Sequence, residues 1–179
     1  MLQIIVPELE KYDEIKNEFI KSKEQVLQLE HSLVSLSKWE SKWCKPFLNK
    51  DIKTNEETID YIRCMTMTQN VPKQTYDNLT NGNMKDVTRY IDASMTATTF
   101  GNDTKDTSRE IITSEIIYFW MISYNIPFDC QKWHLNKLLT LIRVCDKKNT
   151  KEKPMSKSEI MSKNTRLNNE RRKKLNSKG

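Results

Sequence analysis

NIPFDCQKWHLNKLLTLIRVCDKKN, running from Asn125 to Asn149, carries two cysteines, a histidine and two aspartates, and so presents two competing readings: a metal site or a buried helix. The residues between the candidate ligands decide. Leu135, Leu138, Leu139, Ile142 and Cys145 follow the i, i+3, i+4, i+7, i+10 spacing of one helical face, which places Cys145 on the leucine stripe. Cys130 and His134 are four apart, but zinc takes four ligands, or three and a water, and no neighbouring residue supplies the third. Cys130 would lie about 22 Å from Cys145 along a straight helix, too far to share an ion. The stretch therefore reads as a core helix. Pro127 ends the helix before it, Asp129 is placed to cap it, and the two helices resemble an αα-hairpin joined by NIPFD.

The chain has 179 residues, enough for one domain with a real core and appendages. Hydrophobic residues make up 36% and charged residues 30%, with a mean hydropathy of −0.75, so the apolar residues must be concentrated to fold anything. Gly82 and Gly101 are the only internal glycines, which excludes the glycine-rich loops that cradle nucleotide phosphates. The longest apolar run, Ile116 to Ile122, is far short of the roughly 20 residues that span a bilayer. The start, MLQIIVPELEKYDE, has acids where a signal peptide has lysines, and a cytoplasmic protein is expected. Cys44, Cys64, Cys130 and Cys145 are widely spread and are expected to be free thiols.

Upstream, LQIIVP and QVLQLE read as strands of a small N-terminal sheet; KYDEIKNEFIKSK between them fits either a helix or, at NEFI, a third strand. From Ser32 the period changes: Leu33, Leu36, Glu40 and Trp43, with Trp39 adjoining, predict a helix that ends before Pro46. Thr54 with Glu57 forms a capping box opening a helix striped by Ile59, Ile62 and Met65 or Thr66. Two shorter helices, near 73–79 and 84–91, are expected to be separated by an NGN turn, and ASMTATTFGNDTKDT reads as a loop. A second capping box, Thr107 with Glu110, opens REIITSEIIYFWMISYN, whose Ile112, Ile116, Phe119 and Ser123 share a face. With Ile117, Trp120 and Met121 most of its circumference is apolar, so a central helix is expected.

Charge divides the chain. Residues 147–179 hold twelve Lys and Arg against three Glu, a balance of +9 that leaves −3 for residues 1–146. The expected organisation is a mainly α domain over 1–146 with a small N-terminal β element, followed by a basic linker and C-terminal helix over 147–179. Ser156 with Glu159 marks that helix's start, and only Ile160, Met161, Leu167 and Leu175 are large and apolar, so it should lie at the surface. Arg166, Arg171, Arg172, Lys173 and Lys174 are its candidate partner-binding residues: they could meet phosphates, an acidic protein surface, or water alone. No aromatic residue interleaves with them, which leaves nucleic-acid stacking unsupported. His31 and His134, the only histidines, stand in no nucleophile setting. No catalytic group, cofactor or metal site is expected, and the chain reads as a non-enzyme.

Three strings, LEHSLVSLSKWESKW (29–43), IIYFWMISYNIPFDCQKWHLNKLLTLIRVC (116–145) and MSKSEIMSKNTRLNNERRKKLNSKG (155–179), resemble the tail assembly chaperones of long-tailed bacteriophages. The resemblance spans most of the chain in order and is weakest between Thr96 and Thr107. It implies a protein made in the infected bacterial cytoplasm that coats the tape-measure protein until tail-tube protein polymerises around it and is absent from the mature virion; members of such families often have a longer frameshifted form, which a single translated chain does not reveal. A holdase of this kind needs apolar surface, and self-association is compatible with it. Trp39 and Trp43, four apart beside Ser41 and Lys42, are the candidate anchors; the preferred alternative packs both on the small sheet. The alternative functions are a structural protein of the tail or head–tail junction and a basic nucleic-acid-binding factor.

Overall fold

A computed structural model of the chain describes residues 1–13, 17–100, 111–149 and 157–175. It is mainly helical with a small N-terminal β element. Two units are distinguished, Met1–Asp146 and Lys147–Gly179, dividing where the charge divides.

The first unit opens with strands β1 (Leu2–Val6), β2 (Leu9–Asp13), β3 (Glu18–Ser22) and β4 (Gln25–Leu29). Both pairings, β1 with β4 and β2 with β3, are antiparallel. Their register is continuous, because Val6 faces Gln25 and Leu9 faces Ser22. The four strands thus form one long hairpin, interrupted where Pro7 has no N–H to give to a ladder. The ambiguous KYDEIKNEFIKSK is strand on both sides of residues 14–16, which lie outside the described residues. Alternation sets the two faces: Ile4, Val6, Leu27 and Leu29 are buried while Ile5 and Val26 are exposed.

Helix α1 (Leu33–Trp43) follows, with Ser32 and Ser35 capping each other's backbone amides, and it ends at Cys44 in the left-handed conformation, φ 51°. Helix α2 (Asn55–Met65) starts at the predicted Thr54–Glu57 box. Helices α3 (Lys73–Asp77) and α4 (Asn81–Asp92) come next. The NGN triplet does not separate them as expected: Asn81, Gly82 and Asn83 form the first turn of α4, because Thr80 and Asn83 make a capping box of their own. Of the expected 93–107 loop, 93–100 carries no helix or strand, and the remainder lies outside the described residues.

Helix α5 (Ser114–Ser123) starts later than expected. Thr107 and Glu110 lie outside the described residues, and residues 111–113 precede the helix without joining it. Its end is a Schellman motif: Asn125 has φ 53°, its amide bonds the Ile122 carbonyl at 3.1 Å, and the Ile126 amide bonds the Met121 carbonyl at 2.8 Å. Asp129 does not cap a long helix. It belongs to a 3-10 helix, Phe128–Lys132, and α6 (Leu135–Asn149) begins only beyond it, so α5 and α6 are not joined by one short turn. In the second unit, α7 (Lys157–Leu175) is the basic helix; Ser156 lies outside the described residues.

Two apolar clusters fill the first unit. One joins Ile4, Val6, Leu27, Leu29, Trp39, Tyr61, Ile62, Met65, Val87 and Tyr90. The other joins Leu33, Leu36, Ile117, Met121, Ile126, Cys130, Leu135, Leu138 and Ile142, so the predicted α6 stripe is buried in its N-terminal two thirds, with Leu139 and Cys145 half-buried beside it. Helix α1 belongs to both, giving Trp39 to the first and Leu33 and Leu36 to the second.

A buried carboxylate fixes α5 against α1. One oxygen of Glu40 accepts the Phe47 amide at 2.9 Å and the other accepts the Ser114 amide, the first of α5, at 2.7 Å. The Thr113 side chain makes no cap bond, so Glu40 satisfies a free amide of the first turn from 74 residues away. Replacing Glu40 with Ala leaves both amides without this acceptor, and urea denaturation should show a loss of about 2–4 kcal/mol. An unchanged midpoint would mean that neither amide depends on it.

Candidate functional site

The apolar surplus of α5 faces outward. Ser114, Ile117 and Met121, at i, i+3 and i+7, are its buried stripe, while Phe119 is 64% exposed and Ile122 61%. The expected inward face of Ile112, Ile116, Phe119 and Ser123 is thereby corrected: Phe119 and Ser123 are exposed, and Ile112 and Ile116 only half-buried. The helix lies at the surface rather than at the centre. The physical reason is that its apolar residues surround the axis, so periodicity alone cannot fix its rotation; the Glu40 contact and the Schellman turn do.

The chain beyond α5 extends this face. Phe128, 54% exposed on the 3-10 helix, lies with its ring 6.4 Å from that of Tyr118, whose hydroxyl donates to Gln131 at 2.9 Å. Trp133 is also partly exposed, with the Lys137 ammonium 4.3 Å from its ring centre. Exposed large apolar residues scattered singly are ordinary, but Phe119 and Ile122 lie three apart on α5 and Phe128 follows on the adjoining 3-10 helix, which makes this segment the candidate interaction surface. The sequence signal for it was available: a helix apolar all round, in a chain this poor in apolar residues, has more apolar surface than one core contact covers.

Trp39 and Trp43 are placed differently. Trp39 is 1% exposed, and its indole N–H donates to the Glu57 carbonyl at 2.9 Å. Trp43 is half-buried, stacks on Trp39 with ring centres 6.1 Å apart, and donates to Asp60 at 2.9 Å. Trp39 shares a cluster with the strand residues, but both indole N–H groups bind α2. Trp39 as an interface anchor is therefore corrected, since its ring has no free surface. Lys42 and Lys45 add ion pairs to Asp60 and Glu57. The Lys45 ammonium, with the Thr54 amide, holds the Glu57 carboxyl below its ordinary value.

Arg166, Arg171, Arg172, Lys173 and Lys174 are all exposed on α7, and Arg166 lies 3.7 Å from Glu170 one turn on. At roughly 100° per residue the four consecutive cations encircle the helix rather than line one face. They sit in its last turns, where positive charge complements the carbonyl end of the helix dipole.

Sequence reasoning missed one polar constellation altogether. His31 and His134, both nearly buried, have ring centres 5.1 Å apart. His31 Nδ1 lies 2.6 Å from the Tyr61 hydroxyl, and His134 Nε2 2.9 Å from the Tyr90 carbonyl. The Tyr90 hydroxyl donates to Glu30 at 2.7 Å, and the Met1 amine lies 3.1 Å from the same carboxylate. Nothing in the spacing of two residues so far apart in the chain announces this pairing. Cys130 is buried in the second cluster, so it and His134 serve different contacts. Among the described residues, no group of three or more His, Cys, Asp or Glu is placed to hold a metal ion, and no helix is long and apolar enough to cross a membrane. Compared with protein-family models, with curated proteins and with solved structures, the chain matches none.

Because Phe119 and Ile122 contribute little to the core, the double replacement Phe119→Asp, Ile122→Asp should keep the urea midpoint within about 0.5 kcal/mol per site of the parent. The same variant should bind an apolar fluorescent dye less. A cooperative loss of stability would place these side chains in the core instead.

Proposed function

We propose that this chain is a non-enzymatic tail assembly chaperone of a long-tailed phage, acting in the cytoplasm of the infected host. It covers apolar stripes of the tape-measure protein until tail-tube subunits replace it, and does not remain in the mature virion. The reading starts from the likeness of residues 29–43, 116–145 and 155–179 to that family. The structural observation that supports it is the outward face of α5 and the 3-10 helix: Phe119, Ile122 and Phe128 stand in water on a rigid, capped scaffold.

A tape-measure protein is a long helical rod with apolar stripes, prone to aggregate before its tube forms, and an amphipathic helix finds its complement in such a face. Covering Phe119 and Ile122 contributes about 1–2 kcal/mol each, given their present exposure. Two such residues alone amount to millimolar binding or weaker, so each contact is readily reversible and holding draws on several contacts along the client. The proposed binding surface therefore lies on α5 and not at Trp39, which is buried, while Trp43 is half-buried. Arg166 and Arg171–Lys174 supply long-range attraction toward acidic segments of the client, a contribution that weakens with salt.

Co-expression with the tape-measure protein, followed by co-purification, tests the proposal. The parent chain should keep the client soluble and elute with it, and Phe119→Asp, Ile122→Asp should reduce recovery at least tenfold while remaining folded. Two soluble proteins that never co-purify would refute the chaperone reading, and so would recovery of the chain by mass spectrometry as a stoichiometric component of purified particles.

A further inference from the structure

The two histidines lie on the seam between the two apolar clusters. His31 precedes α1 and touches Tyr61 of α2; His134 precedes α6 and touches Tyr90 of α4. Backbone pairing ties the same two points, since Ser32 and His134 form an isolated β-bridge and the Leu135 amide bonds the His31 carbonyl at 2.7 Å. Beside them the Asn136 side chain donates to the carbonyls of Ile91 at 2.8 Å and Ala93 at 2.9 Å. His134 and Asn136 together therefore close the carbonyl end of α4 with donors from the start of α6.

The hydrogen-bond directions fix the state of His134. A carbonyl can only accept, so Nε2 carries the proton toward Tyr90; the Asn136 amide can only donate, and it points at Nδ1 from 3.3 Å, so Nδ1 is the acceptor. The ring fits its site as the neutral tautomer. A second proton must go to Nδ1, where it would set donor against donor and displace the Asn136 amide. His31, 2% exposed, then faces a cation across 5.1 Å.

We propose that the His31–His134 pair is an acid-operated latch: proton uptake by the pair parts the seam and frees the start of α6 from the hairpin, α2 and α4. The groups facing the pair are few. Tyr61 and Tyr90 stay protonated, their hydroxyls pushed well above the ordinary value chiefly by burial. Glu30 favours charge on His134, but the Tyr90 hydroxyl and the Met1 amine already bind its carboxylate, and the amine opposes that charge. Among the described residues, the hydrogen-bond partner of the His31 ring is the Tyr61 hydroxyl and not a carboxylate.

Burial, and secondarily His134, lowers His31 from 6.5 to about 4, and burial lowers His134 against the pull of the Tyr90 carbonyl. Both shifts have the same consequence. The opened state takes up protons first, so closure is complete above about pH 6.5 and is lost progressively toward about pH 4. While both rings are neutral in the closed state, the open fraction should rise about tenfold per pH unit for each histidine that is protonated on opening.

Amide hydrogen exchange on the full chain, corrected for its intrinsic pH dependence, tests the latch. Between pH 7 and 5 the amides of Leu135 and Leu138 should lose at least tenfold more protection than those of β1 and β4, and His31→Gln, His134→Gln should abolish that difference. Should the double variant fail to fold, histidine C–H proton resonances of the parent give the answer, since the chain has only two histidines. Both should titrate below 6.5 as the seam amides open. A parent and a folded double variant with the same pH dependence would overturn the latch, as would histidines that titrate normally while the seam stays protected.

Discussion

A single buried carboxylate decides which way α5 faces. Glu40 leaves water almost entirely, which is costly for a charged group, and two backbone amides offset the cost at 2.9 and 2.7 Å. One amide, Phe47, belongs to the loop after α1, and the other, Ser114, begins α5. The same side chain thus ends one helix's surroundings and starts another's. Without that anchor, a helix apolar on nearly all sides could be buried at several rotations of similar energy, and the structure would lose the uniqueness that distinguishes a native state from a collapsed one.

Helix α1 is the other organising element, because it belongs to both clusters. Its Leu33 and Leu36 point to α5 and α6, while Trp39, bound to the Glu57 carbonyl, points to the strands and α2. The small sheet alone could not persist, since a two-stranded ribbon is marginal in water. Its buried face is closed by α1, α2 and α4, and the chain after α2 lends β4 a further partner through Glu30, Gln28 and Met67. The histidine seam then joins this body to the second cluster by polar contacts, which are directional and which, unlike apolar packing, respond to protonation.

What was legible in the sequence was local. The strands LQIIVP and QVLQLE, the start of α2 at Thr54–Glu57, the end of α1 before Pro46 and the α6 stripe each depend on residues within a few positions of one another. The NGN triplet misled because asparagine serves both turns and helix starts, and Thr80 three residues before Asn83 decides for the helix. The start of α5 and its rotation were not legible, because Glu40 acts across 74 residues. The tryptophans were underdetermined for a related reason: an indole is large enough to anchor either a core or an interface, and only the position of α2 assigns Trp39 to the core. The histidine pair was invisible, since two single histidines in a sequence carry no sign of proximity.

The distribution of apolar side chains bears on function more directly than any motif. In a chain that is only 36% hydrophobic, an exposed Phe or Ile could be a charged residue at little cost in stability. Phe119 and Ile122 nevertheless stand exposed on a helix whose ends are both fixed, at Glu40 on one side and at the Asn125 turn on the other, and Phe128 stands exposed just beyond that turn. Rigid presentation matters, because a surface ordered in advance loses less conformational entropy when a partner covers it. The long basic helix has the opposite character: its cations are exposed, distributed around the axis and unspecific in geometry. A short-range apolar contact that selects and a long-range charge that attracts are complementary: apolar burial acts only on contact, whereas charge acts across a Debye length of water.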